Sequence, residues 1–182
     1  MGIFDVAIVG GGPAGASCAS FCAASGLRTL VLERAIFPRE KVCGDCLNPA
    51  CWPVLERLGI AQEVRAAPHG KLSSVDFIGT DGRIVSAPLP LGEGAEIALK
   101  RSLFDEILLV RARSLGAEVR EGQTLLSVER KEHWKVRTDQ AEDIGGPRVA
   151  HAGDAQPRTC RDQRPGEPEM LGVRRHDLGG IG

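Results

Sequence analysis

Apolar positions cluster in two nearly unbroken runs close to the start of this chain. The first is Phe4-Asp5-Val6-Ala7-Ile8-Val9, and the second, Leu27 to Leu32, ends on Glu33. Short apolar runs without alternation suit strands buried on both faces. Between them, Gly10-Gly11-Gly12-Pro13-Ala14-Gly15 contains G-x-G-x-x-G, and the small residues from Ala14 to Ser25 predict a helix that Gly26 ends. Strand, glycine turn, helix, strand and acid make one βαβ unit, so the expected fold class is α/β.

Beyond this unit the pattern changes period repeatedly. Ala35 to Pro49 is polar and proline-punctuated, as loops are. Trp52 to Leu58 predicts a short helix with Pro53 in its first turn and Gly59 closing it. Lys71 to Ile78 has strand character, Asp81-Gly82 supplies a hairpin turn into Ile84-Val85, and Ala95 to Lys100 is a further strand candidate. Arg101 to Leu115 predicts the second clear helix. Ser102 and Asp105 fit an S-x-x-[DE] start, an apolar stripe runs from Leu103 to Leu115, and Gly116 caps the end. Glu118 to Arg120, Thr124 to Glu129 and Trp134 to Thr138 read as short strands.

After residue 138 the character shifts. Residues 139–182 hold eight glycines and four prolines, with no aromatic residue or lysine and no apolar period. The expected organisation is therefore a globular part over 1–138 and a low-complexity tail, disordered or frameshifted, over 139–182.

The first unit also carries chemistry. Gly10 permits the tight turn, Gly12 lets backbone approach a pyrophosphate, and Gly15 lets the helix pack closely on the sheet. Pro13 suits a first helical turn, and the unpaired amides that follow, at Ala14 and Gly15, face a dinucleotide's phosphates. Glu33, eighteen residues after Gly15, is placed to accept hydrogen bonds from an adenosine ribose. Its carboxylate would repel a 2′-phosphate, which argues against NADP in this pocket. A bare turn in some other α/β protein explains neither the three consecutive glycines nor the acid.

Composition narrows the picture. The 182 residues are 42% hydrophobic with a net charge of −1, enough apolar material for a core and no excess of cation for nucleic acid. No apolar run approaches the ~20 residues of a membrane span. With the first strand beginning at residue 3 or 4, no room is left for a leader, and a cytoplasmic location is expected. Among the six cysteines, Cys18 and Cys22 fall in the first helix as small apolar residues, and Cys43, Cys46 and Cys51 cluster in a loop.

Four separated stretches, D-V-A-I-V-G-G-G-P-A-G, L-V-L-E-R, F-P-R-E-K-V-C-G-D and K-R-S-L-F-D, resemble the FAD-dependent oxidoreductases related to p-hydroxybenzoate hydroxylase. The likeness is strongest to the geranylgeranyl-reductase-like branch, with flavin halogenases and aromatic monooxygenases as cousins, and runs from about Phe4 to Thr138. It implies a Rossmann-like FAD/NAD(P)-binding domain, represented by its N-terminal portion, with a small β-meander over Thr124 to Thr138. It implies FAD as cofactor, NAD(P)H as electron donor and a small-molecule substrate, isoprenoid or aromatic. By the same resemblance Gly10, Gly12 and Gly15 hold the pyrophosphate and Glu33 the ribose. Arg34 lies along the adenosine half, Arg39, Lys41, Cys43 and Gly44 fall in the flavin-side loop, and Arg101 contacts FAD. The A-D-G-x-x-S segment with which such enzymes continue is absent. Gly153-Asp154-Ala155 looks like a later family motif but comes too early, and is read as coincidence.

Blander and rival readings accompany these. Cys43-x-x-Cys46 could be half a zinc site or a redox pair, yet only Cys51 and His69 lie nearby as further ligands, and the pair opens no helix. No metal is expected. The four histidines sit in no constellation with a nucleophile, and no catalytic residue is identified. Three functions remain: an FAD-dependent oxidoreductase, a catalytically inactive nucleotide-binding remnant of one, and, more weakly, an NAD-dependent dehydrogenase.

Overall fold

The computed structural model describes residues 4–42, 45–130, 134–140, 144–146, 149–151 and 172–177. The opening apolar run becomes β1 (Val6–Val9), followed by α1 (Pro13–Ala24) and β2 (Thr29–Leu32). β1 and β2 pair in parallel with Ala7 opposite Leu30 and Ile8 opposite Val31. Next come β3 (Cys46–Leu47), a 3-10 turn at Pro49–Cys51, α2 (Trp52–Leu58) and α3 (Ala61–Ala66). A β4 (Gly70–Ile78), β5 (Ile84–Pro88) hairpin and β6 (Ile97–Ala98) lead to α4 (Arg101–Ser114). β7 (Glu118–Arg120), β8 (Leu125–Arg130), β9 (Trp134–Thr138), β10 (Ile144–Gly146), β11 (Val149–His151) and β12 (Gly172–Asp177) complete the described elements.

The described strands form three sheets. The first runs β11-β1-β2-β7, with every pairing parallel. The second is an antiparallel meander in the order β10-β9-β8, and the third runs β12-β4-β6-β3 with β5 added to β4. The parallel sheet is covered on both sides, which explains why its strands do not alternate. Val6, Ile8 and Val31 face a core built with Ala16 and Ala19 of α1, Leu55 and Leu58 of α2, and Leu108, Leu109 and Ala112 of α4. Phe4, Leu30 and Leu32 turn the other way, onto Val136 of the meander. Ala16 and Ala19 of α1 are wholly buried, so this helix lies close to both the sheet and α4.

Burying each of the larger side chains contributes about 1.5–3 kcal/mol. Leu108 is 1% exposed, whereas its near neighbour Val110 is 49% exposed. Leu108→Ala is accordingly expected to cost about 2–5 kcal/mol, and Val110→Ala no more than about 0.5 kcal/mol. Urea unfolding of the two variants checks this, and similar losses from both would contradict the assigned core.

The structure departs from the sequence reading at several points. The predicted helix start at Ser102 and Asp105 is not a capping box. Lys100 is the N-cap, no side chain caps the end, and the Asp105 carboxylate is engaged elsewhere. α3 is a six-residue helix to which no sequence expectation corresponds. Three described strands, β10, β11 and β12, fall within 139–182, where composition pointed to a disordered tail. β10 extends the meander, β11 pairs with β1 and β12 pairs with β4. Such pairing runs through backbone groups and needs no apolar period to form. The remainder of that segment, including Gly153-Asp154-Ala155, lies outside the described residues.

Candidate functional site

The site is assembled from the turn between β1 and α1. Gly10 takes φ 101°, a backbone region that a Cβ would penalise, and its N–H donates to Leu32 O at 2.8 Å. Gly11, to which the sequence reading gave no separate role, is the tightly packed one. A Cβ there would lie 3.3 Å from Leu109 Cδ1 and 3.4 Å from Glu33 Cβ. Gly12 is the N-cap of α1 and Pro13 opens the helix. The first intrahelical bond runs from Ala16 N to Gly12 O at 2.9 Å. The amides of Ala14 and Gly15 therefore precede any i→i−4 bond. Among the described residues no side chain caps this end and no acid stands in its first turn. The positive end of the α1 dipole is left for an anion.

Glu33 sits at the end of β2 and is 6% exposed. Its Oε2 accepts from Gly11 N at 2.7 Å and its Oε1 from Ala35 N at 2.9 Å. The carboxylate thus ties the glycine turn to the chain leaving β2. A carboxylate has about four lone-pair sites, so these two bonds leave acceptor capacity for hydroxyl groups.

Two arginines flank the turn. The Arg39 Nη2 lies 3.5 Å from where a Gly12 Cβ would stand, and the guanidinium rests 4.9 Å from the centre of the Phe37 ring. Arg101, at the start of α4, lines a cavity of about 180 Å³ together with Pro13, Asp45, Cys46, Leu99 and Phe104. Both arginines converge on Asp105, which is 0% exposed. Arg101 Nε and Nη2 donate to its two oxygens at 2.8 and 2.9 Å, and Arg39 Nη2 stands 3.3 Å from Oδ2.

The structure therefore brings together Gly10, Gly12, Pro13, Ala14, Gly15, Glu33, Arg39 and Arg101 from the sequence-derived set. Arg34 is exposed and Lys41 half-buried, and neither lines the cavity. Cys43 and Gly44 lie outside the described residues. Cys46 lines the cavity from β3, where it pairs with Ala98. Among the described residues no group of three His, Cys, Asp or Glu side chains could hold a metal. Cys18 packs against the core, and burial, reinforced by Cys22, pushes its thiol above the ordinary value. Asp105 is the member that sequence reading missed. Its one visible signal is the i,i+4 spacing from Arg101.

The residues present fit a dinucleotide. An uncapped helix start, a glycine turn without Cβ atoms and two guanidiniums offer a setting suited to phosphates, and an acid stands where the next strand ends. The cavity is smaller than the ~300–1,000 Å³ of complete small-molecule pockets, so the enclosed space holds only part of such a ligand. Among the described residues no helix is long and apolar enough to cross a membrane.

Comparison with known proteins agrees. The FAD binding domain family matches residues 4–144. A 1H-pyrrole-2-carbonyl-[peptidyl-carrier protein] chlorinase of Pseudomonas fluorescens is 34% identical, the match covering 69% of this chain and 32% of the relative. A menaquinone reductase of Mycolicibacterium smegmatis is 35% identical, covering 68% of this chain and 30% of the relative. The solved structure of the myxobacterial chondrochloren halogenase, an FAD-dependent enzyme, superposes with a TM-score of 0.74 at 26% identity, over 87% of this chain and 39% of that one. The chain spans about a third of the length of these curated relatives. By the extent of the match and the construction of the site, this chain belongs to the FAD binding domain family, whose relatives include flavin-dependent halogenases and a reductase.

Proposed function

We propose that this chain is the cofactor-binding part of an FAD-dependent oxidoreductase of the geranylgeranyl-reductase-like kind, acting on a small isoprenoid or aromatic substrate with NAD(P)H as electron donor. The observation that carries the proposal is the uncapped N-terminus of α1 held between Arg39 and Arg101. The Cys43-Gly44-Asp45 stretch favours the reductase branch, and the similarity to a menaquinone reductase supports it. A cytoplasmic location goes with this reading.

In it, the flavin supplies the redox chemistry when bound, and the protein supplies binding and orientation. The Ala14 and Gly15 amides and the two arginines hold the diphosphate, and Glu33 receives the ribose hydroxyls while fixing the turn. By the family resemblance, Arg34 is assigned to the adenosine half, and the stretch of sequence with Lys41, Cys43 and Gly44 to the flavin side. The cavity beside Phe104 and Leu99 keeps water from one side of the ligand.

A second reading is a nucleotide-binding module that carries no catalysis of its own. Titration of the purified chain with FAD, ADP and FMN tests the shared core of both readings. FAD and ADP are expected to bind with affinities within about tenfold of each other, a gap of about 1.4 kcal/mol, and FMN far more weakly. Binding of FMN in preference to ADP would overturn the assignment of the α1 end to the diphosphate. Bleaching of bound flavin by NAD(P)H with an isoprenoid or aromatic substrate then separates enzyme from remnant.

A further inference from the structure

Asp105 is fully buried yet stands beside the most cationic part of the site. A buried carboxylate needs partners that compensate its desolvation. Here both are arginines of the binding site, one from the loop after β2 and one from the start of α4. The grip is unequal: Arg101 is held through two short bonds in the fork geometry that fixes a guanidinium plane. Arg39 has a single 3.3 Å contact and is steadied from another side by the Phe37 ring. The three groups together keep one net positive charge, presented by arginine side chains 13% and 15% exposed over a carboxylate that solvent does not reach.

We propose that Asp105 is a positioning residue for the diphosphate. It orders Arg39 and Arg101 before the ligand arrives, so that binding does not have to immobilise two flexible side chains. The inference rests on the dinucleotide reading above. Arginine carries large rotamer entropy, and freezing it at the moment of association subtracts from affinity. A purely electrostatic account predicts the opposite sign. Removing the Asp105 charge makes the site more positive, so a phosphate would bind more tightly.

The test is calorimetric titration of the full chain and its Asp105→Asn variant with ADP and, separately, adenosine. The expected result is a loss of about 10–100-fold in ADP affinity, the range found when an outer partner that orients a ligating group is removed. Adenosine affinity should stay within about twofold, because it lacks the phosphates. Unchanged or tighter ADP binding by the variant overturns the proposal, as does an equal loss for both ligands, which would mark a merely structural role. Should D105N fail to fold, D105E is read in the same way, since one added methylene displaces the carboxylate under both arginines. A wild-type chain that binds adenosine but not ADP sinks the dinucleotide reading together with this inference. Wild-type ADP binding with an indifferent variant sinks this inference alone.

Discussion

Replacing Arg101 with alanine is expected to lower the unfolding free energy by about 3–5 kcal/mol, the usual cost of removing one partner from a buried ion pair. The magnitude follows from what stays behind. Asp105, 0% exposed in the wild type, loses its two short hydrogen bonds, and the single 3.3 Å approach of Arg39 is left to compensate its charge. In a chain of this size each kcal/mol shifts the melting temperature by about 2–4 °C, so the effect should be plain in a thermal melt. Arg101→Lys keeps the charge but replaces the planar fork with a point donor, and an intermediate loss is expected. A melting temperature for Arg101→Ala equal to that of the wild type would mean that Asp105 is not held as described.

Glu33→Ala should be nearly as damaging, for a different reason. The carboxylate is the acceptor for the amides of Gly11 and Ala35, and Gly11 is buried between Leu109 and the acid itself. Removing the acceptor strands a buried donor and loses two charge-assisted bonds, with an expected cost of about 2–4 kcal/mol. Ala35 is half-buried, so water can replace part of what its amide loses. In Glu33→Gln the side-chain oxygen serves one amide while its NH₂ meets the other, which places this variant between wild type and alanine. Urea midpoints of the three proteins give the order directly. A glutamine variant weaker than the alanine variant would contradict the double-acceptor role.

Those two residues show what the sequence makes legible. Glu33 was found because the βαβ unit is local: strand, turn, helix and acid follow one another within about thirty residues, and spacing alone places the acid at the strand end. The same locality gave α2, with Gly59 at φ 73° after Leu58, and the Asp81-Gly82 hairpin. What spacing could not supply was the direction of a carboxylate. From the sequence Glu33 pointed to a ribose, whereas in the structure its first partners are two backbone amides.

Asp105 was misread as half of a capping box because S-x-x-D is a local signal. The arginine that holds it most firmly, Arg101, is four residues away, while its second partner, Arg39, lies in a loop sixty-six residues earlier and leaves no local signal. The short elements escaped for lack of length. α3 has six residues, too few to display a helical period, and β3 has two. β11 and β12 escaped because their partners, β1 and β4, lie far back in the chain.

The place of β11 has a consequence for solubility. Val149–His151 adds to β1 on the side opposite β2, with Ala7, Ile8 and Val9 as its register partners. The strand that leads into the glycine turn is thereby hydrogen-bonded along both flanks, and the row of amides and carbonyls it would otherwise offer to a neighbouring molecule is occupied. Three residues are enough for this purpose: they leave only a very short outer strand, which is a poor template for adding foreign chain. The segment least like a folded domain in composition thus shields the most apolar strand of the cofactor domain from intermolecular pairing.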